Sequence, residues 1–146
     1  MNDSGRWYDD VKAGDSFSRT ITITETHLVL GAGLIGDFNP HHVDEEYARG
    51  SRFGTRILHG MITSALMGAP VGMYFHGTAV AYLEHAARFK APVRAGDTLA
   101  TTWTVTDRHD KPKHGGGVVV LHGVCRDQHG TVVADADAKM LVQARG

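Results

Sequence analysis

One cysteine, no apolar run of membrane-spanning length and no block of like charge: what this chain of 146 residues lacks narrows its possibilities first. A lone cysteine, Cys125, excludes an intramolecular disulfide. Its place in a strand-like stretch fits a reducing compartment such as the cytoplasm. The net charge is −1 and no basic tract or stripe occurs, so nucleic acid is not an expected partner. No apolar stretch reaches the roughly 20 residues that cross a bilayer. Met1–Asp10 is polar, so no signal peptide is expected. Ten histidines are present, but none shares a zinc-type spacing with the cysteine. No internal repeat or linker divides the chain, so residues 1–146 read as one domain. The hydrophobic content of 42% is that of a globular protein.

The patterning supplies the elements. Residues 1–15 read as a loose leading segment with a turn at Ala13-Gly14-Asp15. From Phe17 to Thr24, threonine alternates with isoleucine, the signature of a half-buried strand. Thr24 or Thr26 can cap a short helix through Leu34, weakened by Gly31, Gly33 and Gly36 at about 1 kcal/mol each relative to alanine. A longer apolar segment begins at Leu58-His59-Gly60-Met61 and runs to Met73 without a charged residue. Apolar on all sides, it reads as a buried helix, with Pro70 kinking or ending its second half. The remainder is strand-like: Val80–Lys90, Thr98–Arg108, Val118–Arg126 and Thr131–Val142, with a polar hairpin loop at Asp110–Gly117. Leu99, Thr101, Trp103 and Val105 fall on one face of the second of these strands. Strand, helices, then four antiparallel strands give an α+β class, with the sheet wrapped around the buried helix.

The chemistry concentrates in Gly36-Asp37-Phe38-Asn39-Pro40-His41-His42. Asn39 suits an N-cap and Pro40 the first helical position. Asp44, Glu45 and Glu46 follow in the first turns, favoured by the helix dipole, and Gly50 ends the helix. Asp37 then lies just before a helix and His42 in its first turn, so a tight bend can aim both into one cleft. A carboxylate beside an imidazole is a water-activating pair. Read blandly, Asp37 caps a turn and His42 is a surface histidine.

Three stretches together resemble a known family. Gly36–His42 is similar to the G-D-x-N-P-x-H motif of the MaoC-like (R)-specific enoyl-CoA hydratases. Ile57-Leu58-His59-Gly60-Met61 resembles the signature that opens their central helix. Arg88-Phe89-Lys90-Ala91-Pro92-Val93 with Gly96-Asp97-Thr98-Leu99 resembles a third, a strand and turn. The resemblance spans Tyr8 to Val142 and implies a hot-dog fold, an antiparallel sheet around a long central helix, usually dimerised through the sheets. It implies hydration of trans-2-enoyl-CoA to (3R)-3-hydroxyacyl-CoA, or the reverse dehydration, with neither metal nor organic cofactor. The expected partners are an acyl-CoA or acyl carrier protein thioester and a second copy of the chain, with no nucleic acid and no membrane. Two positions depart from the family pattern. Gly68 stands where some relatives carry a serine, the nearest serine being Ser64. His41 replaces a usual aliphatic residue and would make the pocket edge more polar.

Water addition to an unsaturated thioester needs a base near C3, a proton at C2 and a donor for the thioester oxygen. Asp37 is the preferred base and His42 the water-orienting partner. Gly60, opening a buried helix, offers an N–H and a positive dipole end for the oxyanion. Alternatively, His59-Gly60 is a tight entry into a packed helix. Asn39 either holds the bend or touches the substrate carbonyl. A metal site from His41, His42 and Asp44 is disfavoured, because adjacent helical residues point apart. Lys111, Lys113 and His114 could meet CoA phosphates, as could Arg88 and Lys90, although solvated positions need no such role. Trp103 and Phe89 read as sheet packing. The competing functions are a hot-dog acyl-CoA thioesterase, for which no separate carboxylate stands out, and a non-catalytic acyl-thioester binding protein, against which Asp37, Asn39 and His42 argue.

Overall fold

A computed structural model describes residues 5–146. Strand β1 (Ser16–Thr22) leads into α1 (Glu25–Ile35), the short helices α2 (Pro40–Val43) and α3 (Glu45–Arg49), and α4 (Gly60–Tyr74). Four strands follow: β2 (Ala79–Phe89), β3 (Thr98–Lys111), β4 (Gly116–Arg126) and β5 (Val132–Gln143). All pairings are antiparallel, in the order β1-β3-β4-β5-β2. The α+β hot-dog arrangement expected from the sequence is present.

The alternation of β3 does what its pattern predicts. Leu99, Thr101, Trp103 and Val105 are buried, while Ala100 and Thr102 face out. Trp103 is the largest side chain of the core, and its indole N–H donates to the Met67 carbonyl of α4 at 2.8 Å. Strand β4 makes room for it at Gly123, where a Cβ would stand 2.6 Å from the indole ring. Only glycine permits that approach.

Three expectations need correction. The leading segment is not loose from Gly5 onward: Gly5 and Arg6 donate to the carbonyls of His76 and Tyr74, and Tyr8 is buried with its hydroxyl on Asp110 at 2.6 Å. Met1–Ser4 lie outside the described residues. Second, Pro70 does not end α4, which continues to Tyr74. Third, α4 is not buried all round. Thr63, Ser64, Met67, Pro70 and Val71 pack on the sheet, whereas Met61 and Met73 are 66% and 55% exposed. A single five-stranded layer can cover only one side of a helix.

Candidate active site

The bend is built by local hydrogen bonds. Helix α1 ends at Gly36, whose φ of 74° is the left-handed conformation that glycine adopts without strain. The Asn39 N–H donates to Asp37 Oδ1 at 3.1 Å, and Asn39 Oδ1 accepts from the His41 N–H at 3.2 Å. Asn39 is therefore the cap that sequence placed there, with Pro40 opening α2. The helix does not run on as expected. Asp44 is extended at φ −116°, ends α2, and caps α3 by accepting from Tyr47 N–H at 3.0 Å. Its carboxylate serves the backbone better as a new cap than as one more acid in a first turn. Gly50 does cap α3, in a right-handed conformation.

The bend brings Asp37 Oδ2 to 3.7 Å from His42 Nε2. Asp37 is half exposed and the His42 side chain is only 13% exposed. His42 Nδ1 lies 2.8 Å from the Ile57 carbonyl. A carbonyl accepts only, so Nδ1 carries a proton, and in the neutral ring the Nε2 lone pair then faces the carboxylate. Two acceptors thus confront each other, too far apart for a direct bond.

A third residue completes the arrangement, one that sequence reading passed over as a helix entry. His59 is 1% exposed, and its ring stacks on that of His42 with centroids 3.8 Å apart. Its Nε2–H donates to the Asp37 carbonyl at 2.9 Å. His59 thereby touches both members of the pair. The available signal was a histidine at the mouth of a wholly apolar helix, where a polar ring needs a tertiary partner. Asp37, His42 and His59 bring candidate ligand atoms within 4.8 Å of one another. In each histidine, however, one ring N–H is committed to a backbone carbonyl.

The alternative His41-His42-Asp44 group does not assemble. His41 turns away to pack edge-on against Tyr47 and Phe53 at 5.1 and 5.3 Å, as an aromatic rather than as a polar pocket edge. Gly68 is about 12 Å along α4 from Gly60, at 1.5 Å per residue, and faces the Tyr82 hydroxyl.

Gly60 follows His59 directly. Among the described residues its N–H meets no acceptor, and it lines a groove of about 370 Å³ with Phe53, Ile57 and Phe89. A Cβ there would stand 3.3 Å from the Phe89 ring. The segment before it is clamped by Arg56, which grips Glu45 at 2.9 Å and forks onto Glu25 at 2.7 and 2.9 Å. Hydrogen bonds from Thr55 and Arg56 hold the Glu45 carboxyl below its ordinary range. This clamp ties α1 and α3 to the Ile57–Gly60 stretch, and sequence reading did not find it.

Comparison with known proteins gives concordant results. The MaoC like domain matches residues 10–125. The chain is 39% identical to the (R)-specific enoyl-CoA hydratase of Rhodospirillum rubrum over 96% of this chain and 94% of that protein. It resembles the unliganded R-hydratase PhaJ1 of Pseudomonas aeruginosa with a TM-score of 0.84 and 32% identity, over 95% of this chain and 86% of that one. The (R)-hydratase of Aeromonas caviae involved in PHA biosynthesis gives a TM-score of 0.79 and 26% identity, over 92% and 98% of the two chains.

Proposed function

The chain belongs to the MaoC-like family, and from that premise we propose that it is an (R)-specific enoyl-CoA hydratase whose Asp37 and His42 act on one water. The observation that carries the reading is the pair of facing acceptors at 3.7 Å. A water about 2.8 Å from each can donate one hydrogen to Asp37 Oδ2 and the other to His42 Nε2, leaving an oxygen lone pair for C3. Asp37 takes the proton as the C–O bond forms, and the pair, now holding one extra proton, returns one to C2. The net change is addition of H and OH across the double bond, with acid and base regenerated. Dehydration is the same path reversed.

Negative charge on the thioester oxygen falls to the Gly60 N–H. That donor stands at the N-terminus of the 15-residue α4, adjoins His59 and has no competing acceptor among the described residues. Losing such a donor typically costs roughly 100-fold in turnover. Asn39 spends its side-chain oxygen on the cap, which supports its role in holding the bend. Crotonyl-CoA supplies the test. Loss of enoyl absorbance without free thiol supports the hydratase, release of thiol would mean a thioesterase, and neither would leave a binding protein.

The working unit is a homodimer of one-domain chains in the cytoplasm. The compartment reading rests on the lone, buried Cys125. Among the described residues strand β2 pairs only with β5, and Val80, Leu83 and Phe89 are about half exposed on it. An apolar, unpaired edge of that length is normally covered, and a second copy would cover it together with the open face of α4. Sedimentation at micromolar concentration is expected to return twice the chain mass of 15.8 kDa, and the monomer mass alone would reject the dimer.

A further inference from the structure

We propose that Asp37 and His42 form an inhibitory site for a zinc-class cation, bound between Asp37 Oδ2 and His42 Nε2 in place of the reacting water. The binding rests on geometry; only the inhibition rests on the hydratase reading above. Zn²⁺ takes imidazole nitrogen and carboxylate oxygen as ligands, and two bonds of about 2.1 Å at the tetrahedral angle set their donor atoms roughly 3.4 Å apart. Asp37 Oδ2 and His42 Nε2 stand 3.7 Å apart, so a small movement of either side chain closes the site. Their other contacts are those of ligating side chains. A metal-bound histidine usually donates its second N–H to a carbonyl or carboxylate, and a ligating carboxylate is itself hydrogen-bonded. His42 gives its Nδ1–H to the Ile57 carbonyl at 2.8 Å, and Asp37 Oδ1 accepts from the Asn39 N–H at 3.1 Å. His59 is not a ligand. Its Nε2–H is held by the Asp37 carbonyl at 2.9 Å, and its Nδ1 lies toward α1, 3.5 Å from where a Cβ on Gly31 would stand. It supports the carbonyl of one ligand and stacks on the ring of the other.

The other Asp–His pairs lack this combination. Asp137 spends one oxygen on His122 and the other on Arg88, each at 2.8 Å, so a cation there would have to break an ion pair. His109 Nε2 and Asp107 Oδ2 stand 3.4 Å apart, a fitting distance, but both side chains are more than half exposed. Of the three imidazoles, that of His42 is the one withdrawn from water. A cation between Asp37 and His42 occupies both lone pairs to which the water would donate, so cation and nucleophile exclude each other. Two protein donors leave the remaining coordination positions to solvent, and a chelator can remove the ion. Mg²⁺, which demands near-octahedral geometry and dehydrates reluctantly, does not match a nitrogen–oxygen pair.

Titration with Zn²⁺, followed by calorimetry and by the imidazole nitrogen resonances in NMR, tests this. In the wild type the His42 Nε2 resonance should shift at the lowest Zn²⁺ concentrations, with His109 and His122 responding only later. Asp37→Asn and His42→Ala should each weaken the tightest site by at least about tenfold, the scale on which even outer-shell partners affect metal affinity. His109→Ala and His122→Ala should leave that site unchanged. If a site variant fails to fold, the wild-type resonance decides. Hydration of crotonyl-CoA should fall in step with occupancy of the site, return on addition of EDTA, and be unaffected by Mg²⁺ at the same concentration. A first response at another histidine, unchanged affinity in either site variant, or full turnover with the site occupied overturns the proposal. If the wild type hydrates nothing while the His42 shift and its dependence on Asp37 hold, the catalytic reading fails and the cation site stands.

Discussion

Of the three Asp–His pairs among the described residues, two are built in opposite ways. His122 and Asp137 are register partners on β4 and β5, and their side chains meet at 2.8 Å. Asp137 gives its other oxygen to Arg88 at 2.8 Å, so both oxygens are occupied. In the second pair, Asp37 and His42 stop 3.7 Å apart. Each is anchored by a different atom: Asp37 through Oδ1 and its carbonyl, His42 through Nδ1. Oδ2 and Nε2, the atoms proposed to react, are left over 3.7 Å apart. The closed pair satisfies itself; the open pair needs a third molecule with two hydrogens to give. Proximity of a carboxylate and an imidazole is therefore a poor marker of catalysis. In the proposed catalytic pair the surroundings bind the other polar atoms and leave the two assigned to the water.

The largest effect is expected where the open pair is broken. Asp37→Asn removes the charge and replaces one acceptor by a donor, and His42→Ala removes the other acceptor. Each should lower kcat on crotonyl-CoA by roughly 100- to 10,000-fold, the range for general acid–base groups. The double variant should be far less than multiplicatively worse, because groups that act on one water act as a unit. Near-wild-type turnover in either single variant would reject that residue's role.

An intermediate effect is expected at His59, a positioning residue that connects the pair. His59→Ala leaves His42 without its stacked neighbour and the Asp37 carbonyl without its donor. We expect turnover to fall on the order of tenfold, with about 2–3 kcal/mol lost from stability through the cavity and the missing bond. His59→Gln restores an N–H of similar reach and should recover part of kcat. If the alanine variant loses stability but keeps kcat, His59 is packing alone.

The same contrast explains what the sequence could disclose. The Asp37–His42 bend was legible because capping is local: Asn39 and Pro40 act within three residues of themselves. The inward face of β3 was legible because alternation is intrinsic to a strand. Three features were not legible, and for His59 and α4 the cause lies in distant partners. Asp44 reads as a first-turn acid until one sees it cap Tyr47. His59 reads as a helix entry until its ring is found on His42, 17 positions earlier in the chain. Helix α4 reads as fully buried because composition records how apolar a helix is, not how many layers are available to cover it. The open face of α4 and the bare edge of β2 are one discrepancy, and the dimer is its proposed resolution.

The smallest effect is expected at the closed pair, and strong acid abolishes it. The His122 hydrogen bond, then Arg88, holds the Asp137 carboxyl below the usual aspartate range. A carboxyl so lowered binds its proton less readily folded than unfolded. Its stabilising contribution is complete above the ordinary aspartate value of about 3.9 and disappears as pH falls through the lowered one. His122→Ala removes the largest cause of that lowering. Both side chains are substantially exposed, at 42% and 55%, so the change in stability at neutral pH should stay below about 1 kcal/mol. The acid-unfolding midpoint should move upward slightly, and kcat on crotonyl-CoA should not move. Chemical denaturation at pH 7 and at pH 4, together with one turnover assay, measures all three. A large loss of activity in His122→Ala would place the closed pair in the chemistry and dissolve the distinction between the two pairs.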